Sequence, residues 1–227
     1  MRNSLIRAII IGFLPLVFVF FGLVIFKNIL ITFILYHIII CMVLPVINYY
    51  FWDHKPAPLS EMLGLGRKDK RSILQGILIG AVFFIGIIIF FDFVHFNFLD
   101  KKHINNILNS LGFSSNIFIY FAIYFILINS VLEELFWRGY LYYQFGKSIR
   151  IPFSSVIISF FFIQYHFFVI GLIFSVQVAF VFIPVIFIVS VIWCYLRHIN
   201  SNIYAPLISH IMADMALIMV FYKYLLI

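Results

Sequence analysis

The sequence has few charged residues: they make up 10% of its 227 residues, whereas 65% are hydrophobic. A soluble globular chain is about a quarter charged and about half apolar, so this composition excludes an ordinary soluble protein. The apolar runs also lack the alternation of polar and apolar residues that marks transmembrane β-strands, which excludes a membrane barrel. The sequence therefore predicts an all-α membrane protein.

Cysteine is scarce as well. Cys41 and Cys194 both lie in apolar segments and form no Cys-x-x-Cys motif, so the sequence indicates neither a disulfide framework nor a thiolate metal site. The net charge of +7 comes mostly from Lys and Arg residues in the short links between apolar runs. Such charges are typical of membrane topology signals, and we expect no nucleic-acid partner.

Seven apolar runs are long enough to cross the hydrocarbon core of a bilayer, which takes about 20 residues. We therefore expect a polytopic bundle of about seven transmembrane helices, forming a single integral membrane domain over residues 1–227. The predicted spans are approximately Ala8–Phe26, Ile29–Ile47, Ile73–Phe91, Ile117–Tyr140, Phe153–Ile170, Leu172–Leu196 and Ile203–Leu226.

A polar, basic stretch divides the chain into parts. Residues 1–51 hold two transmembrane helices, residues 52–72 form a loop with five basic residues, and residues 73–227 form a helical core that holds the candidate catalytic residues. Basic loops stay in the cytoplasm, which places the N-terminus inside and the C-terminus outside. This orientation leaves 11 of the 15 Lys and Arg residues on the cytoplasmic side.

Residues 96–113 are too polar to span the bilayer. Their apolar residues follow the i, i+3, i+4, i+7 spacing of an amphipathic helix: Ile104, Ile107, Leu108 and Leu111. This spacing predicts an eighth, interfacial helix on the outer surface.

Two glycines in the third span, Gly76 and Gly80, are four residues apart. This spacing puts both on one face of a helix. Since glycine has no side chain to keep a neighbour away, the motif predicts close approach of another helix.

Two adjacent carboxylates and a guanidinium lie near the end of the fourth span, in the sequence Leu132-Glu133-Glu134-Leu135-Phe136-Trp137-Arg138. A charged side chain within the bilayer costs on the order of a few kcal/mol unless it is paired or hydrated. Glu134 and Arg138 are four residues apart and are predicted to form an ion pair on one helix face. Glu133 points about 100° away from Glu134, which leaves it available as a general acid or base.

A polar link at residues 146–150 joins the fourth and fifth spans. Glu133 and His166 lie at equal distances from the middle of this link, each about 25 Å away at 1.5 Å per residue. Two antiparallel helices joined there carry both residues to the same depth. We therefore expect His166 to lie beside Glu133.

The seventh span carries His210 and Asp214, which are four residues apart and share one helix face. They are compatible with one shared pocket if the helices tilt, and we expect four polar groups from three helices to meet at mid-membrane: Glu133, His166, His210 and Asp214. Asn129 and Gln164 each lie within about a turn of these residues and are predicted to line the pocket. His37, in the second span, is predicted to make an interhelical hydrogen bond, as isolated polar residues in membrane helices do.

Three motifs follow one another in this chain: Glu-Glu-x-x-x-Arg from Glu133 to Arg138, Phe-x-x-x-His ending at His166, and His-x-x-x-Asp from His210 to Asp214. Together they resemble the motif set of the CAAX-prenyl-endopeptidase and bacteriocin-processing family of intramembrane proteases. The resemblance covers about residues 129–217. It implies that Glu133 and His166 activate a water, that His210 and Asp214 stabilise the oxyanion, and that Glu134 and Arg138 support the site.

The last motif position is often Asn in the eukaryotic members, whereas this chain has Asp214. An ionised carboxylate cannot donate to an oxyanion, so Asp214 is either protonated, orients His210 or helps to hold a metal. Members are commonly called metalloproteases, and the four catalytic candidates could bind a divalent ion such as zinc. The chain lacks the compact His-Glu-x-x-His signature, and we slightly favour a metal-free site.

The sequence thus predicts an intramembrane endopeptidase, with the lipid bilayer and a peptide or lipidated peptide as its partners. Its richness in Ile, Phe and Asn indicates an AT-rich bacterial source and hence a bacterial plasma membrane. In a bacterium, a leader peptide, pheromone or bacteriocin is favoured as substrate over a prenylated protein.

Two alternatives stay open. One is a non-proteolytic scaffold, such as a bacteriocin-immunity or regulatory protein that binds another membrane protein. The other is a proton-coupled transporter, which the lack of a detectable internal repeat disfavours.

Overall fold

The computed structural model describes residues 2–52, 57–98 and 100–226, and within these ranges it contains helices and their connections but no β-strand. Seven of the described helices are long and apolar enough to cross a membrane, which confirms the predicted bundle. In chain order the helices are α1 (Ser4–Ile25), α2 (Ile29–Trp52), α3 (Leu59–Met62), α4 (Lys70–Phe93), α5 (Lys101–Ser110), α6 (Ser115–Gly146), α7 (Ile151–Ile173), α8 (Val176–Asn200) and α9 (Tyr204–Tyr224); α3 and α5 are the two short ones.

The bundle is apolar on its outer face and polar at its centre. Large aliphatic and aromatic side chains such as Val82, Ile89 and Phe180 are about two-thirds exposed, as expected for side chains that face lipid. Glu134 and Arg138, by contrast, have no exposed surface. Charged groups inside a bilayer usually face the interior of the bundle, where they find partners.

Helix α6 occupies the centre of the bundle, where it contacts α1, α2, α3, α7, α8 and α9. Its α-helical turn Ser130–Glu134 lies between two π-helical segments, Tyr124–Asn129 and Leu135–Leu141. Helix α2 contains a further π-helical segment, Ile34–Val43. π-Helical turns are rare in proteins, and many of those known lie at functional sites.

The predicted hairpin after α6 is present. Helix α6 ends at Gly146 and α7 begins at Ile151, with Pro152 in its first turn. Proline suits this position because the backbone N–H that it lacks has no partner within a helix there. The two helices therefore run antiparallel from the polar link.

Gly76 and Gly80 of α4 let α9 approach closely, as predicted. A Cβ atom on Gly76 would lie 2.9 Å from the carbonyl oxygen of Ala205, and one on Gly80 would lie 3.0 Å from the Cα of Ser209. Any larger residue at either position would push α9 outward. The glycines thereby set the position of the helix that carries His210.

The basic loop packs against the ends of the helices. Gly64 has a φ of +72°, a left-handed conformation that glycine adopts without strain, and its carbonyl oxygen accepts a hydrogen bond from the N–H of Ile203 at 3.0 Å. The backbone of Leu63 rests on Gly139 of α6, where a Cβ atom would lie 2.7 Å from the Leu63 carbonyl carbon. The loop thus links α6 to the start of α9.

The predicted interfacial helix is α5. Asp100 caps it by accepting a hydrogen bond from the N–H of His103 at 3.0 Å. Ile104 and Leu108 are buried against a small cluster that includes Phe174 and Phe221. Helix α5 therefore covers the end of the bundle opposite the basic loop.

Candidate active site

Glu134 and Arg138 form the predicted ion pair. The Arg138 Nη1 donates to Glu134 Oε1 at 3.0 Å, and both side chains are fully buried. Arg138 Nη2 also donates to the Ser190 hydroxyl at 2.8 Å. The guanidinium lies over the rings of Phe162 and Trp193, with its Cζ 4.6 and 4.8 Å from their centroids. These contacts hold Arg138 to α7 and α8 as well as to its own helix.

Glu134 has a second partner that the sequence did not indicate. His210 Nδ1 lies 2.9 Å from Glu134 Oε1, and because a carboxylate only accepts, Nδ1 carries the proton. The His210 ring also stacks on Trp193, with centroids 4.2 Å apart and an angle of 22° between the planes. The orientation of His210 is therefore fixed, and its Nε2 points to the remaining carboxylates.

Those carboxylates are Glu133 and Asp214. His210 Nε2 lies 3.8 Å from Glu133 Oε2 and 3.7 Å from Asp214 Oδ2. Asp214 Oδ2 in turn accepts hydrogen bonds from Asn129 Nδ2 at 3.0 Å and from the Ser130 hydroxyl at 2.8 Å. Asn129, predicted to line the pocket, thus contacts Asp214 directly.

The two carboxylate oxygens of Glu133 differ. Oε1 accepts a hydrogen bond from the Tyr165 hydroxyl at 2.8 Å. Oε2 is buried and has no hydrogen-bond partner among the described residues. Because a buried carboxylate oxygen without a partner is costly, Oε2 is the atom left to bind a water or a substrate group.

His166 lies on the same turn of α7 as Tyr165. Its Nδ1 is 2.8 Å from the carbonyl oxygen of Phe162, which can only accept, so Nδ1 carries a proton and a neutral ring has its lone pair on Nε2. The hairpin brings this turn of α7 to Glu133, as predicted. The direct contact, however, is made by Tyr165: across the described chain, no ion pair within 4.0 Å and no hydrogen bond joins His166 to Glu133.

Gln164 lines a different space. It faces a cavity of about 620 Å³ between α1, α7 and α8, together with apolar residues such as Leu16, Phe167 and Ile183. Its Oε1 is buried without a hydrogen-bond partner in the described part of the chain. Gln164 therefore faces a cavity that none of the four catalytic candidates lines, and its predicted place in their pocket stays a prediction.

The site has an excess of acidic groups. Three carboxylates, those of Glu133, Glu134 and Asp214, lie within 4.0 Å of the His210 ring, and among the described residues only Glu134 pairs with the Arg138 guanidinium. In the ranges that the structure describes, no group of three or more His, Cys, Asp or Glu side chains is arranged to hold a metal ion. The hydrogen bond of His210 Nδ1 to Glu134 leaves Nε2 as the one ring nitrogen of His210 that could bind a metal. As arranged in the described ranges, these side chains do not form a metal site.

Sequence reasoning missed two contacts to Glu133. Tyr165 precedes His166, and its hydroxyl is the group that holds Oε1. His37 of α2 has its Nε2 3.9 Å from the same oxygen. A buried histidine in an apolar span was the available signal for His37, and the interhelical hydrogen bond predicted for it is present as well, to the hydroxyl of Tyr124 at 2.8 Å.

Comparison with known proteins finds one family that part of the chain resembles. Residues 114–216 match the model of a family described as type II CAAX prenyl endopeptidase Rce1-like. The match confirms the resemblance seen in the motifs, and all eight residues predicted for the site lie within it. No curated protein and no solved structure matches the chain significantly.

Proposed function

We propose that this protein, whose residues 114–216 match the model of the type II CAAX prenyl endopeptidase Rce1-like family, hydrolyses a peptide bond of a membrane-associated substrate within the bilayer. The family is one of intramembrane proteases. One observation supports Glu133 as the general base. Its Oε1 accepts a hydrogen bond from Tyr165, whereas its Oε2 is buried without a partner among the described residues and lies 3.8 Å from His210 Nε2. A general base needs such a free oxygen beside a group that can stabilise negative charge.

Glu133 and His166 activate the water in this mechanism. Glu133 Oε2 takes a proton from a water, and the lone pair of His166 Nε2 helps to orient that water. The water oxygen attacks the scissile carbonyl carbon and forms a tetrahedral intermediate. Glu133 then gives its proton to the amide nitrogen, the oxyanion collapses as the C–N bond breaks, and a carboxylic acid and an amine leave. Glu133 returns to its ionised form.

His210 stabilises the intermediate. Because its Nδ1–H donates to Glu134, an imidazolium at His210 donates through Nε2 to the oxyanion. Asp214, 3.7 Å from that nitrogen and held by Asn129 and Ser130, orients His210. Arg138 keeps Glu134 in place for the same purpose. Of the three roles open to Asp214, these contacts support orientation best.

The substrate is a membrane-bound peptide, with or without a lipid group. The five basic residues of the loop favour an orientation in which the N-terminus and the Gly146 end of α6 face the cytoplasm, and we assign the protein to a bacterial plasma membrane with its C-terminus outside. A leader peptide, pheromone or bacteriocin is the substrate that the composition favours.

The test compares Glu133→Ala and His166→Ala with the wild type in purified, nanodisc-reconstituted protein. The probes are internally quenched peptides: a farnesylated peptide ending in a CAAX sequence, the same peptide without the lipid, and a hydrophobic peptide without cysteine. Ser159→Ala is the matched control, because Ser159 is buried in α7 and its hydroxyl has no partner among the described residues. We expect cleavage by the wild type and the control, with turnover by the other two lowered about 10²–10⁴-fold.

Wild-type turnover by both variants would contradict the assignment. A Glu133→Gln protein that restores the cellular phenotype would instead favour the non-proteolytic scaffold. Elemental analysis of the purified active protein tests whether the site holds a metal. A stoichiometric divalent metal would contradict our preference for a metal-free site.

A further inference from the structure

His37 is a buried histidine that the proposed reaction does not use. It lies in the π-helical segment of α2, outside the segment matched to the family, and its exposed fraction is 1%. Isolated polar residues in membrane helices are often explained by one interhelical hydrogen bond. His37 has such a bond to Tyr124, yet this bond uses only one of its two ring nitrogens.

Aromatic rings fix the plane of the His37 imidazole. Phe33 stacks on it with centroids 5.4 Å apart, and the rings of Tyr36 and Tyr124 lie 4.6 and 5.7 Å away. The Tyr124 hydroxyl is 2.8 Å from Nδ1. The ring therefore has little freedom to turn, and the direction of Nε2 is set by the packing of α2 against α6.

Nε2 of His37 points to the catalytic carboxylate. It lies 3.9 Å from Glu133 Oε1, and it is buried with no hydrogen-bond partner in the described ranges. When the Tyr124 hydroxyl donates to Nδ1, the ring proton is on Nε2, directed at that oxygen. A separation of 3.9 Å exceeds a hydrogen bond, but hydrogen bonds in free active sites are often long and shorten when substrate binds.

With this tautomer, Oε1 of Glu133 has two donors near it, the Tyr165 hydroxyl and the His37 Nε2–H. A carboxylate held through one oxygen presents the other in a fixed direction. Here that other oxygen is Oε2, which faces His210.

We propose that His37 is a positioning residue for peptide hydrolysis, holding Oε1 of Glu133 so that Oε2 is aimed at the attacking water. This inference rests on the proposed function. It makes α2 part of the catalytic unit, so the segment matched to the family is not sufficient for full activity.

The experiment measures kcat and KM in nanodiscs with the cleaved quenched peptide. His37→Phe keeps an aromatic ring but loses both nitrogens, whereas His37→Gln keeps an N–H near the position of Nε2. Misplacement of a catalytic group by about 1 Å costs up to about 100-fold in rate. We expect His37→Phe to lower kcat by about 10- to 100-fold with KM unchanged, and His37→Gln to recover most of that loss.

Thr32→Val serves as the matched control. Thr32 is buried in the same helix, but among the described residues its hydroxyl donates only to the carbonyl oxygen of Asn28, one turn away. We expect wild-type kcat for this variant. Wild-type kcat in His37→Phe would overturn the proposal, and so would equal losses in His37→Phe and His37→Gln, since both results would reduce His37 to a packing residue.

A second readout does not depend on turnover. The carboxylate stretch of Glu133 is identified in the infrared spectrum by subtraction of the Glu133→Gln protein. We expect this band to shift in His37→Phe and to stay in place in Thr32→Val, and an unshifted band would refute the contact. If Glu133→Gln keeps full turnover, the proposed function itself fails; if Glu133→Gln is inactive and His37→Phe is normal, only the role of His37 fails.

Discussion

Replacing Arg138 by methionine tests how strongly the buried ion pair holds the site together. The change removes the only guanidinium in contact with Glu134 among the described residues, and both side chains are fully buried. Removing one partner of a buried pair costs about 3–5 kcal/mol, because the remaining charge is left without compensation. Arg138 also loses its bond to Ser190 and its contacts with two aromatic rings, so we expect the upper part of that range.

The double variant Glu134→Gln with Arg138→Met separates the uncompensated charge from the lost packing. It leaves no charge at either position, and the Gln side chain can still accept from His210 Nδ1. We expect the double variant to be about 2 kcal/mol more stable than Arg138→Met alone, since the uncompensated charge is gone. Arg150→Met is the control, because Arg150 is exposed at the start of α7, and its change is expected within about 0.5 kcal/mol.

The assay is reversible unfolding in mixed micelles with increasing SDS, followed by tryptophan fluorescence. Trp137 and Trp193 are both buried beside the pair and report on its surroundings. An Arg138→Met protein that unfolds within about 1 kcal/mol of the wild type would refute the reasoning. A double variant no more stable than the single one would show that packing, rather than charge, accounts for the loss.

Three further predictions concern the surroundings of the site. Gly80→Val should destabilise the protein by about 1–3 kcal/mol and lower turnover, because the new side chain would meet α9. Gly86→Val on the same helix should have no such effect, since nothing lies within 4 Å of a Cβ atom there, and SDS unfolding compares the two variants. Tyr165→Phe removes a hydrogen bond to a charged group worth about 1.5–3 kcal/mol and should lower kcat at least about tenfold, measured with the quenched peptide. Asp214→Asn keeps an acceptor for Asn129 and Ser130 and should keep kcat within about tenfold, whereas Asp214→Leu should lose activity; equal activity of these two variants would contradict the orienting role.

The membrane bundle could be predicted because hydropathy alone defines long apolar spans. The ends of the spans were less accurate, since helices continue past the hydrocarbon core: α6 was predicted over Ile117–Tyr140 and runs from Ser115 to Gly146. The close approach of another helix to α4 was also predictable, because a pair of glycines four residues apart marks one helix face, whereas the spacing did not identify that helix as α9.

Within the site, contacts along one helix could be predicted from the sequence, whereas contacts between helices could not. The Glu134–Arg138 pair depends only on the spacing along one helix, and it is present. Whether Tyr165 or His166 touches Glu133 depends on the rotation of α7 about its axis, and α7 is apolar on all sides, so its sequence marks no inner face. The π-helical turns of α6 add a further rotation that regular helix periodicity does not contain.

His37 could not be placed for a related reason. It follows no motif, and its nearness to Glu133 arises from the packing of α2 against α6. The bond between Glu134 and His210 likewise joins residues 76 positions apart. Contacts between residues so far apart in the sequence depend on how the whole bundle folds.

The turnover of Glu133→Gln tests the central claim most directly. The variant keeps the shape of the side chain and an acceptor for Tyr165, and it removes the carboxylate that takes the proton from water. With the quenched peptide in nanodiscs, we predict kcat lowered by about 10²–10⁴-fold, with the unfolding transition close to that of the wild type. Wild-type kcat in a folded Glu133→Gln protein would contradict the claim that Glu133 is the general base.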